Sequence, residues 1–240
     1  MNLALFAAAS GMAAQQTNLD VIANNLANAD VAGFKGAVAT FGEVSGSFGL
    51  GTAPLGTHPV FEQGKLMKSG GPFDVAIEGP GFFTVHDRHG RAAFTRDGAF
   101  SRDAQGHLEN SAGWRLDGIR VPSYAMTLDV SPDGTVTAAS AHGKQNCGKI
   151  RVATFPSPEF LQPLGGTLFA ATLRSGKAQS VATGAPDGPK IRFGMLEQSN
   201  VSIVEAMMQI LAAQRAYEAN AKGVQAADEM LRIANNLNRG

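Results

Sequence analysis

Residues 10–35 read Ser-Gly-Met-Ala-Ala-Gln-Gln-Thr-Asn-Leu-Asp-Val-Ile-Ala-Asn-Asn-Leu-Ala-Asn-Ala-Asp-Val-Ala-Gly-Phe-Lys, and this stretch predicts a helix that ends at a glycine. Apolar residues in and just before it recur every seven positions, which is typical of a helix that packs along a partner helix. The repeat consists of Leu5, Met12, Leu19 and Leu26, with Ala8, Gln15 and Ile22 standing three residues after the first three. The sequence therefore predicts a second helix that covers the first.

The C-terminal segment carries a matching repeat. Its two series are Ile203, Ile210, Tyr217, Val224 and Leu231, and, three residues after each, Ala206, Ala213, Asn220, Ala227 and Ala234. Alanines let two helix axes approach closely, and the polar side chains of Gln214 and Asn220 can select one register. We expect the terminal helices to pair as a coiled coil. The alternative is that each packs on a core as an ordinary amphipathic helix.

Between the two helices the hydrophobic period changes from that of a helix to that of a strand. Phe73, Val75 and Ile77 alternate with their neighbours, and residues 87–90 (Asp-Arg-His-Gly) predict the turn of a hairpin. Further turn sequences follow at intervals of about 8–12 residues, which is typical of antiparallel β-structure.

The predicted fold class is mixed α and β, with an inserted, mainly antiparallel, all-β module between the two paired helices. The predicted segments are an N-terminal helix and turn (1–40), a Gly-rich connector (41–60), the all-β module (61–173), a second connector (174–194) and the C-terminal helix (195–240). The two helical ends together would form one axial core domain.

Composition excludes several classes of protein. Lys and Arg balance Asp and Glu at 20 each, so net charge gives no reason to expect binding to nucleic acid or to an anionic membrane. The single Cys147 cannot form a disulfide within the chain. Residues 1–10 are apolar but contain no Lys or Arg, so we expect them to belong to the mature helix and not to a cleaved signal peptide.

The residues that could carry catalysis do not form a recognisable set. His86 and His89 flank a predicted turn, and Cys147 has no neighbouring His or helix start that would lower its pKa. The candidate carboxylates occur in turn sequences, where Asp typically accepts backbone hydrogen bonds; they are Asp87, Asp97, Asp103 and Asp133. We therefore predict no enzyme, no catalytic residue, no metal site and no cofactor.

An ordered set of motifs across nearly the whole chain resembles the axial proteins of the bacterial flagellum, specifically the basal-body rod proteins, and most closely those of the distal rod. At the N-terminal end these motifs are Ser10-Gly-Met-x-Ala-Gln-Gln-x-Asn18, Asn24-Asn-Leu-Ala-Asn28 and Gly33-Phe-Lys35. The middle contributes Asp74-Val-Ala-Ile-Glu-Gly-Pro-Gly-Phe-Phe83 and Phe94-Thr-Arg-Asp-Gly-Ala-Phe100. The C-terminal end contributes Leu196-Glu-Gln-Ser-Asn-Val201, Ala213-Gln-Arg-Ala-Tyr-Glu218 and Ala227-Asp-Glu-Met-Leu231.

The resemblance implies a structural subunit that polymerises into the helical rod, the drive shaft that transmits torque from motor to hook. It implies other copies, other rod and hook proteins, the flagellar type III export apparatus and surrounding ring proteins as partners. It also implies a place in the basal body across the periplasm, without insertion into a membrane. The predicted assembly interface consists of Leu5, Met12, Leu19, Ile22, Leu26, Ile203, Met207, Ile210, Gln214, Tyr217, Asn220, Val224 and Leu231.

Two departures from the family pattern leave the subtype open. Val31 and Ala32 stand where a Thr usually precedes Gly-Phe-Lys, and residues 42–60 are short where distal-rod and hook relatives often carry a longer insert. A proximal rod protein is the alternative within the family. An alternative from another class is a glycan-binding β-module on a helical scaffold, with Trp114 as its stacking residue.

Overall fold

The computed structural model describes residues 3–46, 49–125, 127–140, 143–186 and 188–237. The chain forms two compact units. The first is drawn from Met1–Ala27, Ala37–Val60 and Val201–Gly240, and the second from Asn28–Gly36 and Phe61–Asn200. Among the described residues, neither helix combines the length and the hydropathy of a membrane span.

The first unit contains two helices and a hairpin. Helix α1 spans Leu3–Ala27 and helix α2 spans Ile203–Leu237, and the two pack on each other as predicted. Helix α2 begins at a capping sequence, in which the backbone N–H of Glu205 donates to the Ser202 hydroxyl at 3.3 Å. Strands β1 (Ala37–Gly46) and β2 (Gly49–Pro59) pair antiparallel and pack against α1.

The segment predicted as a glycine-rich connector, 41–60, thus lies almost entirely in a hairpin. One glycine there serves close packing, because a Cβ atom on Gly51 would lie 2.7 Å from a ring carbon of Phe6 in α1. Next to it, the backbone N–H of Thr52 donates to the Ser10 hydroxyl at 3.1 Å. Composition indicated a connector here, whereas the glycine is needed where a strand packs against a helix.

The second unit is built from antiparallel strands. The strands are β3 (Leu66–Lys68), β4 (Val75–Glu78), β5 (Phe82–His86), β6 (Ala92–Thr95), β7 (Ser101–Arg102), β8 (Leu108–Glu109), β9 (Arg115–Leu116), β10 (Thr127–Val130), β11 (Thr135–Ser140), β12 (Gly143–Lys149), β13 (Val152–Thr154), β14 (Gln162–Gly165), β15 (Leu168–Ala170), β16 (Gln179–Val181), β17 (Lys190–Phe193) and β18 (Met195–Glu197). A short 3-10 helix, Pro158–Phe160, precedes β14. The β-rich middle of the chain is confirmed.

Within this unit, nine strands form the largest sheet, in which β14, β15, β6, β5, β9, β8 and β7 lie in that order and β13 joins β5 to β16. Strands β10, β11 and β12 form a second sheet, and the pairs β17–β4 and β18–β3 complete the unit. Segments predicted as a connector and as the start of a helix therefore contain strands, namely β16 and β17 within 174–194 and β18 at 195–197.

The predicted hairpin at residues 87–90 joins β5 to β6. Its carboxylate closes the turn, because Asp87 Oδ1 accepts hydrogen bonds from the backbone N–H groups of His89 and Arg91 at 2.9 and 2.8 Å. Asp103 uses the same arrangement one hairpin later. The carboxylates of Asp87 and Asp103 therefore stabilise turns by accepting backbone hydrogen bonds.

Two hydrophobic cores stabilise the second unit. The larger gathers fully buried side chains such as Ile77, Phe83 and Val85, and the half-buried Trp114 packs against it. The smaller is aromatic and consists of Phe61, Phe82, Phe94, Phe155 and Phe169 together with Ala153 and Leu161. Its rings meet edge to face, with the centroids of Phe61 and Phe82 5.0 Å apart.

Candidate assembly interface

Small residues line the contact between α1 and α2. A Cβ atom on Gly11 would lie 3.0 Å from the side-chain amide nitrogen of Asn220, and one on Gly223 would lie 3.9 Å from Cβ of Ala8. The most deeply buried side chains of α2 are likewise alanines, Ala206, Ala213 and Ala227, at 4, 4 and 1% exposure. Close approach of the two backbones therefore replaces the interlocking of large side chains.

The thirteen predicted interface residues fall into three groups. Ile22 is buried. The half-buried residues are Leu5, Met12, Leu19, Leu26, Ile210, Asn220 and Val224. The exposed residues are Ile203, Met207, Gln214, Tyr217 and Leu231. The repeat thus identified both helices. However, most of the large apolar residues that it selected on α2 stay exposed instead of being buried against α1.

A second apolar face lies on the opposite side of the start of α2. Val204, Met207, Met208 and Leu211 stand at spacings of three, four and seven residues, and they are 69, 54, 59 and 56% exposed. We call these four residues the exposed stripe. At 3.6 residues per turn the stripe points away from Ala206 and Ala213, so α2 carries one apolar face toward α1 and another toward solvent.

Asn25 fastens the hairpin of the first unit to the last turn of α1. Its side-chain nitrogen donates to the carbonyl oxygen of Ala37 at 2.7 Å, and its side-chain oxygen accepts from the backbone N–H of Ala37 at 2.8 Å. This residue belongs to the Asn-Asn-Leu-Ala-Asn motif, and the hydrogen bonds explain why an amide stands there. The motif supported the family resemblance, but the spacing of its residues does not predict hydrogen bonds between Asn25 and the backbone of Ala37.

A buried ionic cluster in the second unit was missed by sequence reasoning. Lys35 Nζ donates to Glu197 Oε1 at 2.6 Å, and Arg96 Nε lies 2.9 Å from Glu197 Oε2. All three side chains are almost inaccessible to solvent. The three residues occur in the Gly-Phe-Lys, Phe-Thr-Arg-Asp-Gly and Leu-Glu-Gln-Ser-Asn motifs, so the cluster joins a segment near each end of the chain to the middle.

Additional backbone contacts complete the cluster. Lys35 Nζ also donates to the carbonyl oxygen of Glu62 at 2.6 Å, and Glu197 Oε1 also accepts from the backbone N–H of Gly64 at 2.9 Å. Gly33 donates its N–H to the carbonyl oxygen of Glu197 at 2.7 Å, and its φ of 68° is a left-handed conformation that favours glycine.

Burial governs protonation in this region. Desolvation lowers the pKa of the Lys35 ammonium, and the neighbouring Glu197 carboxylate opposes that shift. Burial raises the pKa of Asp97, and the charge of Asp74 raises it further. These shifts accompany a packed core and hydrogen-bonded loops.

Of the residues considered for catalysis in the described part of the chain, His86 and Cys147 line one cavity of about 340 Å³, which the others do not line. Cys147 is buried, and burial raises the pKa of its thiol, which disfavours a nucleophilic thiolate. His89 is exposed in its turn, while His86 Nδ1 lies 3.9 Å from Asp117 Oδ1. Within the described ranges no three His, Cys, Asp or Glu residues come together in a way that could hold a metal ion.

Three family models match the chain. The model for "Flagella basal body rod protein" matches residues 5–35, that for "Flagellar hook protein FlgE/F/G D1 domain" matches 76–138, and that for "Flagellar basal body rod FlgEFG protein C-terminal" matches 193–237. The first covers most of α1, the third covers all of α2, and the second covers strands of the second unit.

Relatives that align over nearly their full length are also flagellar basal-body rod proteins. The chain is 38% identical over 264 aligned positions to the flagellar basal-body rod protein FlgG of Borreliella burgdorferi, with 100% of each chain covered. It is 35% identical to the FlgG protein of Agrobacterium fabrum, covering 96% of this chain and 97% of that one. The flagellar basal-body rod protein FlgF of Caulobacter vibrioides is 32% identical, with 98 and 97% covered.

Proposed function

The chain belongs to the flagellar basal-body rod protein family and is a structural subunit of the rod, not an enzyme, and we propose that it polymerises through its terminal helices into the distal rod. The observation that carries the proposal is the exposed stripe on α2, four apolar residues at helical spacing that are 54–69% exposed. A stripe of this kind marks a surface that is buried against another protein.

Polymerisation requires contacts that do not close on themselves. A contact between two different surfaces of the same subunit can repeat along an axis and so produce a filament. The exposed stripe of α2 provides one such surface, because the opposite face with Ala206 and Ala213 is already buried within the subunit. We propose that the helices of successive subunits form a continuous core of coiled coils along the rod.

The predicted interface residues divide between these two roles. The half-buried members, such as Leu19 and Ile210, stabilise the pairing of α1 with α2 inside a subunit. The exposed members, such as Met207, Tyr217 and Leu231, face neighbouring copies. This division explains why the seven-residue repeat has large side chains that the subunit itself leaves in solvent.

We assign the distal rod because, for the two rod proteins of Caulobacter vibrioides, the chain is 35% identical to FlgG and 32% identical to FlgF. In that place the polymer would transmit torque from motor to hook across the periplasm. Its partners would be copies of itself, other rod and hook proteins, the export apparatus and the surrounding rings. The proximal rod is the alternative position.

The test is Leu211→Asp, which places a charge in the exposed stripe without touching the buried alanines. We expect the purified monomer to keep its circular dichroism spectrum, whereas cells that carry the variant form no rods and do not swim. An unpaired charge buried in an interface costs several kcal/mol, about 3–5, and the cost recurs at every subunit. The matched control is Ala104→Asp in an exposed turn. Swimming cells with Leu211→Asp would contradict the proposal.

The glycan-binding alternative depends on Trp114. This residue is half-buried and packs against the larger core of the second unit, which leaves only part of the indole for a sugar. A sedimentation assay with purified peptidoglycan separates the two functions. A scaffold stays in solution, and a glycan-binding module sediments in a way that Trp114→Leu abolishes.

A further inference from the structure

Leu173 is the most exposed large apolar side chain in the part of the chain that the structure describes. It follows strand β15 in the second unit and is fully exposed, whereas the next most exposed leucine there, Leu55, is 73% exposed. A single exposed leucine is common on protein surfaces, so exposure alone does not indicate a contact. What distinguishes Leu173 is the rigid turn that holds it in solvent.

Hydrogen bonds fix this turn on both sides of Leu173. The backbone N–H of Thr172 donates to Ser175 Oγ at 2.8 Å, and the backbone N–H of Ser175 donates to Thr172 Oγ1 at 3.1 Å. Thr172 Oγ1 also donates to the carbonyl oxygen of Phe160 at 2.8 Å, and Ser175 is fully buried. The guanidinium carbon of Arg174 lies 3.7 Å from the centroid of the Phe160 ring. The turn is therefore ordered before any partner binds, which lowers the entropic cost of binding.

The same unit contains an aromatic cavity of about 320 Å³. Its apolar walls are formed by Phe61, Pro80, Phe82, Phe155 and Pro158. Arg96 also lines it, but its guanidinium donates to the carbonyl oxygens of Gly79 and Gly81, so these hydrogen bonds are already made within the fold. An apolar cavity of about 150 Å³ already holds a benzene molecule, so this cavity has room for a leucine side chain.

The charges beside the turn and beside the cavity are opposite. Arg174 and Lys177 are exposed in and just after the turn that carries Leu173. Glu62 and Glu159 are exposed, and each is adjacent in sequence to a residue of the cavity wall. An apolar anchor in a pocket, surrounded by a rim of complementary charges, is typical of a specific protein interface. Charge therefore favours this turn as the occupant of the cavity, where apolar character alone would not select it.

We propose that the Leu173 side chain of one subunit enters the aromatic cavity of a second copy of this chain. Both surfaces belong to the second unit, so the contact leaves the exposed stripe of α2 available for the helical core of the rod. The turn and the cavity are different surfaces, and a contact between different surfaces can repeat along a filament. Because it forms only between copies, the contact rests on the proposed function of self-assembly.

Leu173→Asp tests the contact, because a fully exposed side chain can be changed without loss of packing in the monomer. A charge in the apolar cavity should raise the protein concentration needed for polymerisation by about a hundredfold or more. The control is Leu164→Asp, the same change at another exposed leucine of the second unit, and it should have no effect. Sedimentation of rods at graded protein concentrations measures both.

The outcomes separate this contact from the proposed function. Unchanged polymerisation of Leu173→Asp, or an equal loss in Leu164→Asp, would overturn the contact alone. Failure of the unsubstituted protein to polymerise would overturn the proposed function.

Two charge reversals test the choice of partner surface. Lys177→Glu makes the turn more acidic, and Glu159→Lys makes the rim of the cavity more basic. Each protein alone should need about threefold more protein to polymerise, which is the scale of exposed ion pairs. An equimolar mixture should recover, since in alternating order each turn meets a rim of opposite charge. Lys144→Glu, at an exposed position of β12, is the control and should have no effect. Lack of recovery in the mixture would contradict the pairing.

Cysteine cross-linking locates the contact in assembled rods. In a Cys147→Ser background, one protein carries Leu173→Cys and the other carries Thr154→Cys at the cavity wall. Oxidised mixed rods should give a covalent dimer, and rods of either protein alone should give none. A protein with both new cysteines should give a ladder of covalent oligomers. Absence of the dimer, or dimers without a ladder, would overturn the proposal.

Discussion

Glu197 is the residue on which the buried polar contacts of the second unit converge. Its carboxylate faces two cations, Lys35 and Arg96, and also accepts from the backbone of Gly64. One anion thus compensates two buried positive charges. Such clusters contribute little net stability compared with an apolar core, but they become very costly when one charge loses its partner.

This imbalance predicts unequal effects of substitution within the cluster. Glu197→Gln removes the compensating charge from both cations and should lower the free energy of unfolding by about 3–5 kcal/mol. Lys35→Met leaves Glu197 paired with Arg96, so it should cost about 1–2 kcal/mol, the scale of a lost hydrogen bond. Urea denaturation of the purified monomers measures both values. If both variants lost the same free energy of unfolding, Glu197 would not be compensating the charges of Lys35 and Arg96 together.

At the scale of elements, the pairing of α1 with α2 depends on small residues and on one amide. Asn220 is half-buried, and its side chain lies against Gly11 of the opposite helix. A polar side chain at a helix contact usually costs stability and in return favours one alignment. Gly11 makes room for this amide, because a Cβ atom there would crowd it.

Asn220→Leu should therefore stabilise the helix pair by about 1 kcal/mol while it relaxes the alignment. We expect a higher melting temperature of the helical signal in the monomer and irregular rods in electron micrographs. Ala219→Leu, which adds the same side chain at an exposed neighbouring position, is the control and should leave the rods regular. Regular rods and normal swimming with Asn220→Leu would contradict a role in register.

The helices and strands also show which features of the fold can be predicted from the sequence. Seven-residue spacing located both helices, and alternation followed by an Asp-Arg-His-Gly turn located the β5–β6 hairpin, because these signals are local. The hairpin of β1 and β2 was missed because its glycines indicated a connector, whereas Gly51 permits close packing against α1 in the fold. The Lys35–Arg96–Glu197 cluster was missed because its members are distant in sequence. The exposed stripe was only partly recognised, through Met207.

At the scale of the whole molecule, the two units differ in the size of the apolar side chains that they bury. The second unit buries large side chains such as Phe83, Ile77 and Ile150, while the buried side chains of the two helices are mostly alanines. Burial of apolar area is the main source of stability, so the first unit should open at a lower free energy than the second.

Limited proteolysis of dilute monomer should accordingly remove α1, α2 and the β1–β2 hairpin and leave a core of about residues 61–200. The peptide 28–36 should stay bound to that core after the hairpin is cut, because Lys35 and Gly33 are held by Glu197. Native mass spectrometry of the digest detects the peptide, and Glu197→Gln should release it. Protection of the full chain in a verified monomer would contradict the difference in stability.

The bond between Lys35 and Glu197 spans 162 positions of the chain, and this separation governs the order in which the protein folds. Contacts between distant residues form slowly, since a long loop must close before they contribute. A chain is made from its N-terminus, so Lys35 cannot pair with Glu197 until most of the polypeptide has been synthesised. During that interval the lysine stays hydrated and the second unit stays incomplete. The second unit can therefore reach its folded state only after Glu197 has been synthesised.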